Sequence, residues 1–211
     1  MRGRSYVYDL RMPRPAKHNE SSILKATAAI VASRGPTAAT ISAIGHAIGA
    51  PSGSIYHRFQ TRDELLGRLW LNKAAFFQDR SIAALNGPDP EEAALAAALS
   101  IPQAVREDFN GARIMLLHRR QDFLSETWPA EMQAEAHRLG EQVQDGIAQI
   151  TRRLFGRNSA FARQVATFAI LDLPLSPVRR FVAKGQMPPL AIDDLITTAH
   201  KAVISQHKSK R

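Results

Sequence analysis

Residues 40–62 decide the fold of this chain, and they read TISAIGHAIGAPSGSIYHRFQTR. The stretch predicts two short helices separated by a tight turn. Thr40 is a preferred N-cap residue, so it predicts the start of a helix over 41–48. Pro51 fits the first position of the next helix, where its missing N–H costs nothing, and that helix is expected to cover 52 to about 59.

The two helices can share a small apolar core, formed by Ile41, Ile44, Ile48, Ile55 and Phe59. That core would hold the second helix in place and leave a polar side facing outward, with Ser52, Ser54, His57 and Arg58. A helix-turn-helix needs such an element, because its second helix enters the major groove and its N-terminal residues reach base edges. Serine hydroxyls can donate to or accept from more than one base.

The sequence on both sides of this stretch favours an all-α fold. A first helix is predicted from 19–22 to Gly35, and Thr61 would cap a fourth helix. After the break at 87–90, further helices are expected at about 90–107, 111–125, 129–155, 159–172 and 190–207. Prolines at 174, 177, 188 and 189 are expected to isolate a short helical piece near 177–184.

Charge is concentrated at the N-terminal end of the chain. Residues 1–73 carry 11 basic and 4 acidic residues, a net +7, whereas residues 74–211 carry 17 and 15, a net +2. A basic segment attracts polyanions, so nucleic acid is the first candidate partner and an anionic membrane surface the second. Prolines and scattered charge over 1–18 predict a flexible basic arm, which either follows DNA phosphates or has no role.

Composition excludes several other classes of protein. The chain has no cysteine, so disulfides and thiolate metal sites are ruled out. No apolar run suggests a signal peptide or a membrane span, which predicts a cytoplasmic protein without a membrane partner. The seven histidines form no i, i+3 or i, i+4 pair, so no metal site is expected. No cofactor is expected either.

The second helix and its flanks resemble the tetracycline-repressor (TetR/AcrR) family. The residues that carry the resemblance stand at fixed spacing: Gly49, Ala50, Gly53, Ile55, Tyr56, Phe59 and Arg62. Residues 23–27, Gly35, Thr40 and Ile44 match the family's preceding helices, so the resemblance covers about 20–73. Three positions depart from it, because Pro51 replaces a usual Ser or Thr, Ser52 a frequent basic residue, and Arg58 a frequent His. The departures predict weaker or different reading of bases.

The resemblance implies a set of DNA-contacting residues: Thr40, Ser42, Pro51, Ser52, Gly53, Ser54, Tyr56, His57, Arg58 and Arg62. Within this set, Ser52 and Ser54 would approach bases, and Gly53 would allow close approach of the backbone. Thr40, Tyr56 and Arg62 would contact phosphates, and His57 a phosphate or sugar. The expected partner is double-stranded DNA with a palindromic operator, since a homodimer presents two such helices.

The resemblance also implies how the chain is divided. Residues 1–18 would be the arm, 19–73 the helix-turn-helix DNA-binding domain, and 74–211 a helical ligand-binding and dimerisation domain. In a homodimer, helices 159–172 and 190–207 would pair with their copies. An unknown small-molecule effector would bind among the following residues: Trp70, Phe77, Phe109, Met115, His118, Phe123, Trp128 and Met132.

The predicted function is therefore a ligand-responsive, sequence-specific transcriptional regulator, in the form of a repressor released by an inducer. Two alternatives stay open. The basic arm and the weakly polar second helix also fit a non-specific architectural DNA-binding protein. A helical enzyme would have to use a carboxylate cluster, with Asp122, Glu126, Glu131 and Glu135 as its candidates. The sequence has no phosphate loop, metal pair or nucleophile motif, so we predict no catalytic residue and no enzyme.

Overall fold

The computed structural model describes residues 19–123 and 128–208, and these ranges contain ten α-helices and no strand. The helices are α1 Glu20–Arg34, α2 Ile41–Ile48, α3 Ser52–Tyr56, α4 Arg62–Leu85, α5 Pro90–Glu107, α6 Phe109–Leu117, α7 Ala130–Phe155, α8 Ala160–Thr167, α9 Leu173–Ala183 and α10 Ala191–Lys208. The predicted arm, 1–18, lies outside the described residues. Within the described part of the chain, no helix is long and apolar enough to cross a membrane.

Side-chain caps fix the starts of the N-terminal helices where the sequence predicts them. The Ser22 N–H donates to Asn19 Oδ1 at 2.8 Å, which begins α1. The Ala43 N–H donates to Thr40 Oγ1 at 3.1 Å, and Thr61 caps α4 in the same way. Gly35 ends α1 with a φ of 82°, a region that suits glycine. The predicted caps Thr40 and Thr61, and the predicted end of α1 at Gly35, are confirmed.

Two predicted helices are shorter in the structure. The second helix of the pair ends at Tyr56 rather than near 59, because the Arg58 N–H donates to Ile55 O and tightens the last turn. Pro51 is its N-cap and not its first residue. The helix expected over 111–125 covers Phe109–Leu117 instead, since His118 is extended and a 3₁₀ turn at Arg120–Asp122 follows.

The break expected before residue 177 is absent, since the helical path continues from α8 to α9. A π-helical turn at Phe168–Asp172 joins the two, and the Leu173 N–H donates to Phe168 O, five residues earlier. Pro174 has no N–H to offer and its ring would crowd a regular preceding turn. The wider π turn accommodates that proline within the helix, so α9 begins at Leu173 and also includes Pro177.

Apolar packing joins the N-terminal helices to the rest of the chain. One core packs side chains of α1, α2, α3 and α4 against Ile114 of α6 and against Trp128, Met132 and Ala136 at the start of α7. A second core lies among α4, α5, α7, α8 and α10. Helix α4 belongs to both cores and passes without a break through residue 73, where the predicted domains would divide. That division stays a prediction.

Candidate nucleic-acid interface and internal cavity

Helix α3 is fixed to the fold by apolar side chains on its inner side. Ile44 and Ile55 are fully buried and Phe59 is almost so. In the turn between α2 and α3, Gly49 has a φ of 65°, and the Ala50 N–H donates to Gly45 O at 2.9 Å. A Cβ on Gly45 would stand 2.7 Å from the Ala50 carbonyl oxygen, so that position requires glycine. The two helices therefore form one rigid unit.

The outer side of this unit holds the predicted DNA-contacting residues. Seven of the ten are exposed: Thr40, Ser42, Pro51, Ser52, Gly53, Tyr56 and His57. They lie at the N terminus of α2 and along α3. Tyr56 is 52% exposed, which is unusual for a large aromatic side chain on a helix with a buried inner face. A Cβ on Gly53 would meet no atom within 4 Å, so packing inside the chain gives no reason for a glycine there.

The remaining three residues are half-buried, and two of them are arginines with contacts inside the chain. Arg62 donates through Nε to Ala39 O at 2.9 Å and through Nη2 to Pro36 O. It thereby holds the segment that leads into α2. Arg58 donates from Nη1 to the Ser54 carbonyl at 3.2 Å. DNA contact by Arg58 and phosphate contact by Arg62 stay predictions, and either would use N–H groups that these hydrogen bonds do not occupy.

An apolar cavity of about 280 Å³ lies inside the helical body. Helices α4, α5, α6, α7 and α9 line it together with the π turn. None of the described residues that line it carries a charge, and its polar side chains are Gln78 and Ser81, both on α4. Such an enclosure suits a small organic molecule better than an ion or a charged metabolite.

Of the eight predicted ligand-binding residues, Phe77 and Met115 line this cavity. Four others belong to the core that the N-terminal helices share with α7: Trp70, Phe123, Trp128 and Met132. Phe109 packs beside Val105 and Val178, and His118 lies against Gly35 and the Phe123 ring. These six do not line the cavity, because their side chains fill the interior between helices instead.

Sequence reasoning missed Gln78 and Ser81 as cavity residues. Both stand on the apolar side of α4, one helical turn apart, between the cavity residues Phe77 and Ile82. A polar pair that interrupts an apolar stripe is the signal that would have identified them. The buried Gln78 Oε1 has no hydrogen-bond partner among the described residues.

Helix α6 contacts both the cavity and the N-terminal helices. Ala112, Met115 and Leu116 line the cavity, whereas Arg113 between them donates from Nε to the Ala32 carbonyl of α1 at 2.8 Å. Ala32 lies near the C-terminal end of α1, where carbonyls lack helical partners. This hydrogen bond links the cavity-lining helix α6 to α1, the first of the N-terminal helices.

Three of the four acidic side chains considered for catalysis have partners within the chain. Arg68 contacts Glu131 at 3.3 Å and Glu135 at 2.9 Å, which links α4 to α7. Asp122 accepts the Arg119 N–H at 2.9 Å in the 3₁₀ turn. Glu126 lies outside the described residues. These contacts account for the carboxylates as structural groups.

His200 is a buried titratable group remote from the exposed side of α3. It lies on α10, is 2% exposed, and neither ring nitrogen has a hydrogen-bond partner among the described residues. Burial lowers the pKa of His200 from 6.5 to about 4, against a smaller raising effect of Glu91. Lys201 lowers it further. The ring is therefore neutral at pH 7 and contributes no charge to the body.

Large apolar side chains are exposed on α10 and on the helical path from α8. Phe161 is 60% exposed, Phe168 46% and Leu195 66%. Their neighbours Val165, Ala169 and Ile196 are buried, so the apolar residues of these helices are divided between the core and the surface. The outer part leaves apolar side chains in contact with water.

Comparison with known proteins supports the interpretation of α2 and α3 as a helix-turn-helix. Residues 23–69 match the family model described as bacterial regulatory proteins, tetR family. No curated protein matches the chain closely enough to count as a relative. The matched stretch contains α2, α3 and the buried residues that hold them.

Solved structures extend the likeness to the whole chain. The TetR family regulator PfmR from Thermus thermophilus has a TM-score of 0.67 at 18% identity, with 89% of this chain and 96% of that one covered. FadR from Bacillus subtilis, solved in complex with stearoyl-CoA, gives 0.65 at 16%, covering 92% and 100%. A TetR-like regulator from Rhodococcus sp. RHA1 gives 0.66 at 16%, covering 95% and 100%. At these identities the likeness establishes the fold.

Proposed function

We propose that this chain is a homodimeric repressor of the tetR family of bacterial regulatory proteins, and that it leaves its operator when a small molecule enters the cavity. One observation carries the proposal. Helix α3 is anchored by the fully buried Ile55, while small and polar residues remain exposed on its outer side. A rigid helix with such an outer face is what major-groove reading requires.

The exposed residues have distinct roles in this proposal. Ser52 and Ser54 contact base edges, and Gly53 lets the helix backbone approach them, which gives the glycine a reason that packing does not. Thr40, Ser42, Tyr56 and Arg58 contact phosphates, and His57 contacts a phosphate or a sugar. These contacts set the register of the protein on the duplex. Arg62 supports them by holding the segment before Thr40.

Dimerisation and ligand response have separate support. Phe161, Phe168 and Leu195 are exposed apolar side chains, and burying them against a second copy would remove them from water. The cavity supports a ligand-responsive regulator, and the FadR neighbour was crystallised with a small-molecule ligand. Contacts of α6 with both the cavity and α1 supply a route for coupling.

DNA binding tests the proposal directly. Fluorescence anisotropy would compare a duplex from the region upstream of the protein's own gene with a random duplex, across salt concentrations. We expect binding to the first to be tighter by about 10³-fold or more. The double variant Ser52→Ala/Ser54→Ala should lose most of that ratio, because each good base contact discriminates by about 1–3 kcal/mol. Tyr56→Phe should weaken binding to both duplexes by the same factor.

The matched control is Ser33→Ala/Ser176→Ala, two exposed serines on α1 and α9 that should leave binding unchanged. Equal affinity for both duplexes would favour the architectural alternative, in which the protein binds DNA without reading its sequence. Absence of binding to either duplex at low salt would overturn the proposal.

A further inference from the structure

The wall of the cavity is almost entirely apolar. Thirteen of the fifteen described residues that line it have apolar side chains, and the other two are Gln78 and Ser81. Gln78 Oε1 has almost no accessible surface, so a molecule in the cavity does not reach it. Ser81 Oγ is already hydrogen-bonded to Ser100 Oγ at 2.9 Å. An occupant therefore gains its affinity mainly by removing apolar surface from water.

The cations that neighbour this wall have partners elsewhere in the chain. Three arginines stand next to a lining residue in the sequence, and each is engaged: Arg80 with Glu107, Arg106 with Asp193, and Arg113 with the Ala32 carbonyl. Arg153 lies in a surface hollow that shares Ile82 and Leu85 with the cavity, and it donates to the Leu85 carbonyl at 2.7 Å. None of these guanidinium groups is left free to balance the charge of an anion in the cavity.

An ion of either sign would therefore enter the cavity at a cost. No carboxylate, ammonium or guanidinium group belongs to the described lining. A charged group loses its hydration in apolar surroundings, and without a counter-charge nothing compensates the loss. A neutral molecule of the same shape makes the same apolar contacts without that loss.

Volume limits the size of the occupant. The cavity holds about 280 Å³, which is roughly twice the ~150 Å³ of a dry apolar cavity that takes benzene. Two fused rings, or an aliphatic molecule of similar bulk, fit this space.

We infer that the effector of this protein is an uncharged, compact, apolar molecule of about two rings, held in the cavity mainly by apolar contact. The inference rests on the proposed function, because it takes the cavity as the effector site. It excludes long molecules that carry phosphate, such as the stearoyl-CoA found in the FadR neighbour. Charge and bulk, rather than a hydrogen-bonding group, are the properties by which the cavity discriminates between ligands.

Three probes of one ring system isolate the effect of charge: naphthalene, the anion 2-naphthoate, and 2-(aminomethyl)naphthalene, which is a cation at pH 7. Their affinities for the full-length protein would be measured without DNA, by titration calorimetry and by the rise in melting temperature at matched concentrations. We expect naphthalene to bind at least about tenfold more tightly than either ion, because each ion gives up its hydration on entry.

A cation placed in the wall tests whether the missing counter-charge causes this preference. Met115 is a half-buried lining residue, and Met115→Lys introduces an ammonium group on a side chain of similar length. The affinity for 2-naphthoate should then rise by about tenfold or more, since the carboxylate gains a partner. The matched control is Met187→Lys, at an exposed methionine outside the lining, which should leave all three affinities unchanged.

Circular dichroism would establish that each lysine variant is folded. If Met115→Lys does not fold, Leu175→Lys serves in its place, because Leu175 is a half-buried residue of the same lining. A folded lysine variant that binds 2-naphthoate no better than the original chain would overturn the assignment of the preference to charge in the cavity.

The remaining outcomes distinguish this inference from the function on which it rests. Tighter binding of either ion than of naphthalene, or binding of none of the probes, would overturn the ligand class. Decanoate tests for a ligand whose charged end stays in water, and tighter binding of decanoate than of naphthalene would overturn the class as well.

DNA release is scored separately, by adding naphthalene to the protein–duplex complex. Binding that favours naphthalene but leaves the complex intact would support the ligand class and overturn release through the cavity. Release by stearoyl-CoA without any binding of naphthalene would overturn the ligand class and leave the proposed function standing.

Discussion

The two halves of α4 are packed in opposite ways. In the first half Gly67 lies so close to the Trp128 ring that an added Cβ would stand 2.3 Å from it. The second half, from Phe77 to Leu85, borders the 280 Å³ cavity. One continuous helix is therefore tightly packed next to the helix-turn-helix, whereas its second half borders a cavity between the later helices.

The difference shows where this fold can yield and where it cannot. Filled interiors resist added volume, because neighbouring atoms have no room to move. An open apolar interior tolerates added volume and gains contacts when it is filled. The tightly packed half of α4 can therefore pass a displacement on to its neighbours, whereas the half beside the cavity has room for a ligand. The free energies of unfolding of variants in each region test this contrast.

The largest effect is expected at the filled half. Gly67→Ala places a methyl group into the Trp128 ring, so the free energy of unfolding should fall by about 3 kcal/mol. Urea denaturation followed by circular dichroism measures it. The control is Gly140→Ala on the exposed side of α7, where a Cβ meets nothing within 4 Å and helix propensity should stabilise by about 0.5–1 kcal/mol. Equal effects of the two substitutions would contradict the contrast.

The next largest effect is expected at another tightly packed position, His200 of α10, whose side chain is buried. Its folded-state pKa of about 4 lies below the unfolded value of 6.5, so the unfolded chain binds more protons between these values. The contribution of His200 to the free energy of unfolding is therefore fully present above pH 6.5 and is lost as pH falls. The loss is about 2 kcal/mol between pH 7 and 5. Unfolding at both pH values measures it, and His200→Leu should remove that part of the loss. An unchanged pH dependence in the variant would show that other groups cause it.

The smallest effect on stability is expected at the open half. Val143→Phe adds volume to the cavity lining, and we expect the free energy of unfolding to change by less than about 1 kcal/mol. The same substitution should weaken binding of an apolar probe such as naphthalene, because the larger side chain occupies part of the cavity. A destabilisation as large as that of Gly67→Ala would mean that the cavity does not accommodate added volume.

Local signals in the sequence predicted the N-terminal part of the fold well. Caps at Thr40 and Thr61, and glycines at 35 and 49, act within a few residues of where they stand, so the bounds of α1 and α2 follow from them. The continuous helical path through Pro174 could not be predicted from such local signals. Proline disfavours a helix locally, and the π turn that accommodates it depends on the packing of the whole body.

The same distinction between local signals and tertiary packing applies to the two candidate sites. The DNA-contacting set came from a motif of fixed spacing, and its exposure in the structure agrees with such a role without testing it. The cavity set came from large apolar residues, and a large apolar residue can equally fill space or line it. Trp128 fills space against Gly67, whereas Phe77 lines the cavity, and only tertiary packing separates the two cases.

The π turn also sets the rotational phase of the residues on either side of it. Phe161, Phe168 and Leu175 are spaced by seven, so a regular helix would carry all three on one side with a drift of about 20° per heptad. The turn inserts about one residue, which advances the phase by about 100°. Phe161 and Phe168 accordingly face water while Leu175 turns into the cavity. A single irregular turn thus lets one seven-residue repeat contribute both to an outer apolar surface and to the lining of an inner cavity.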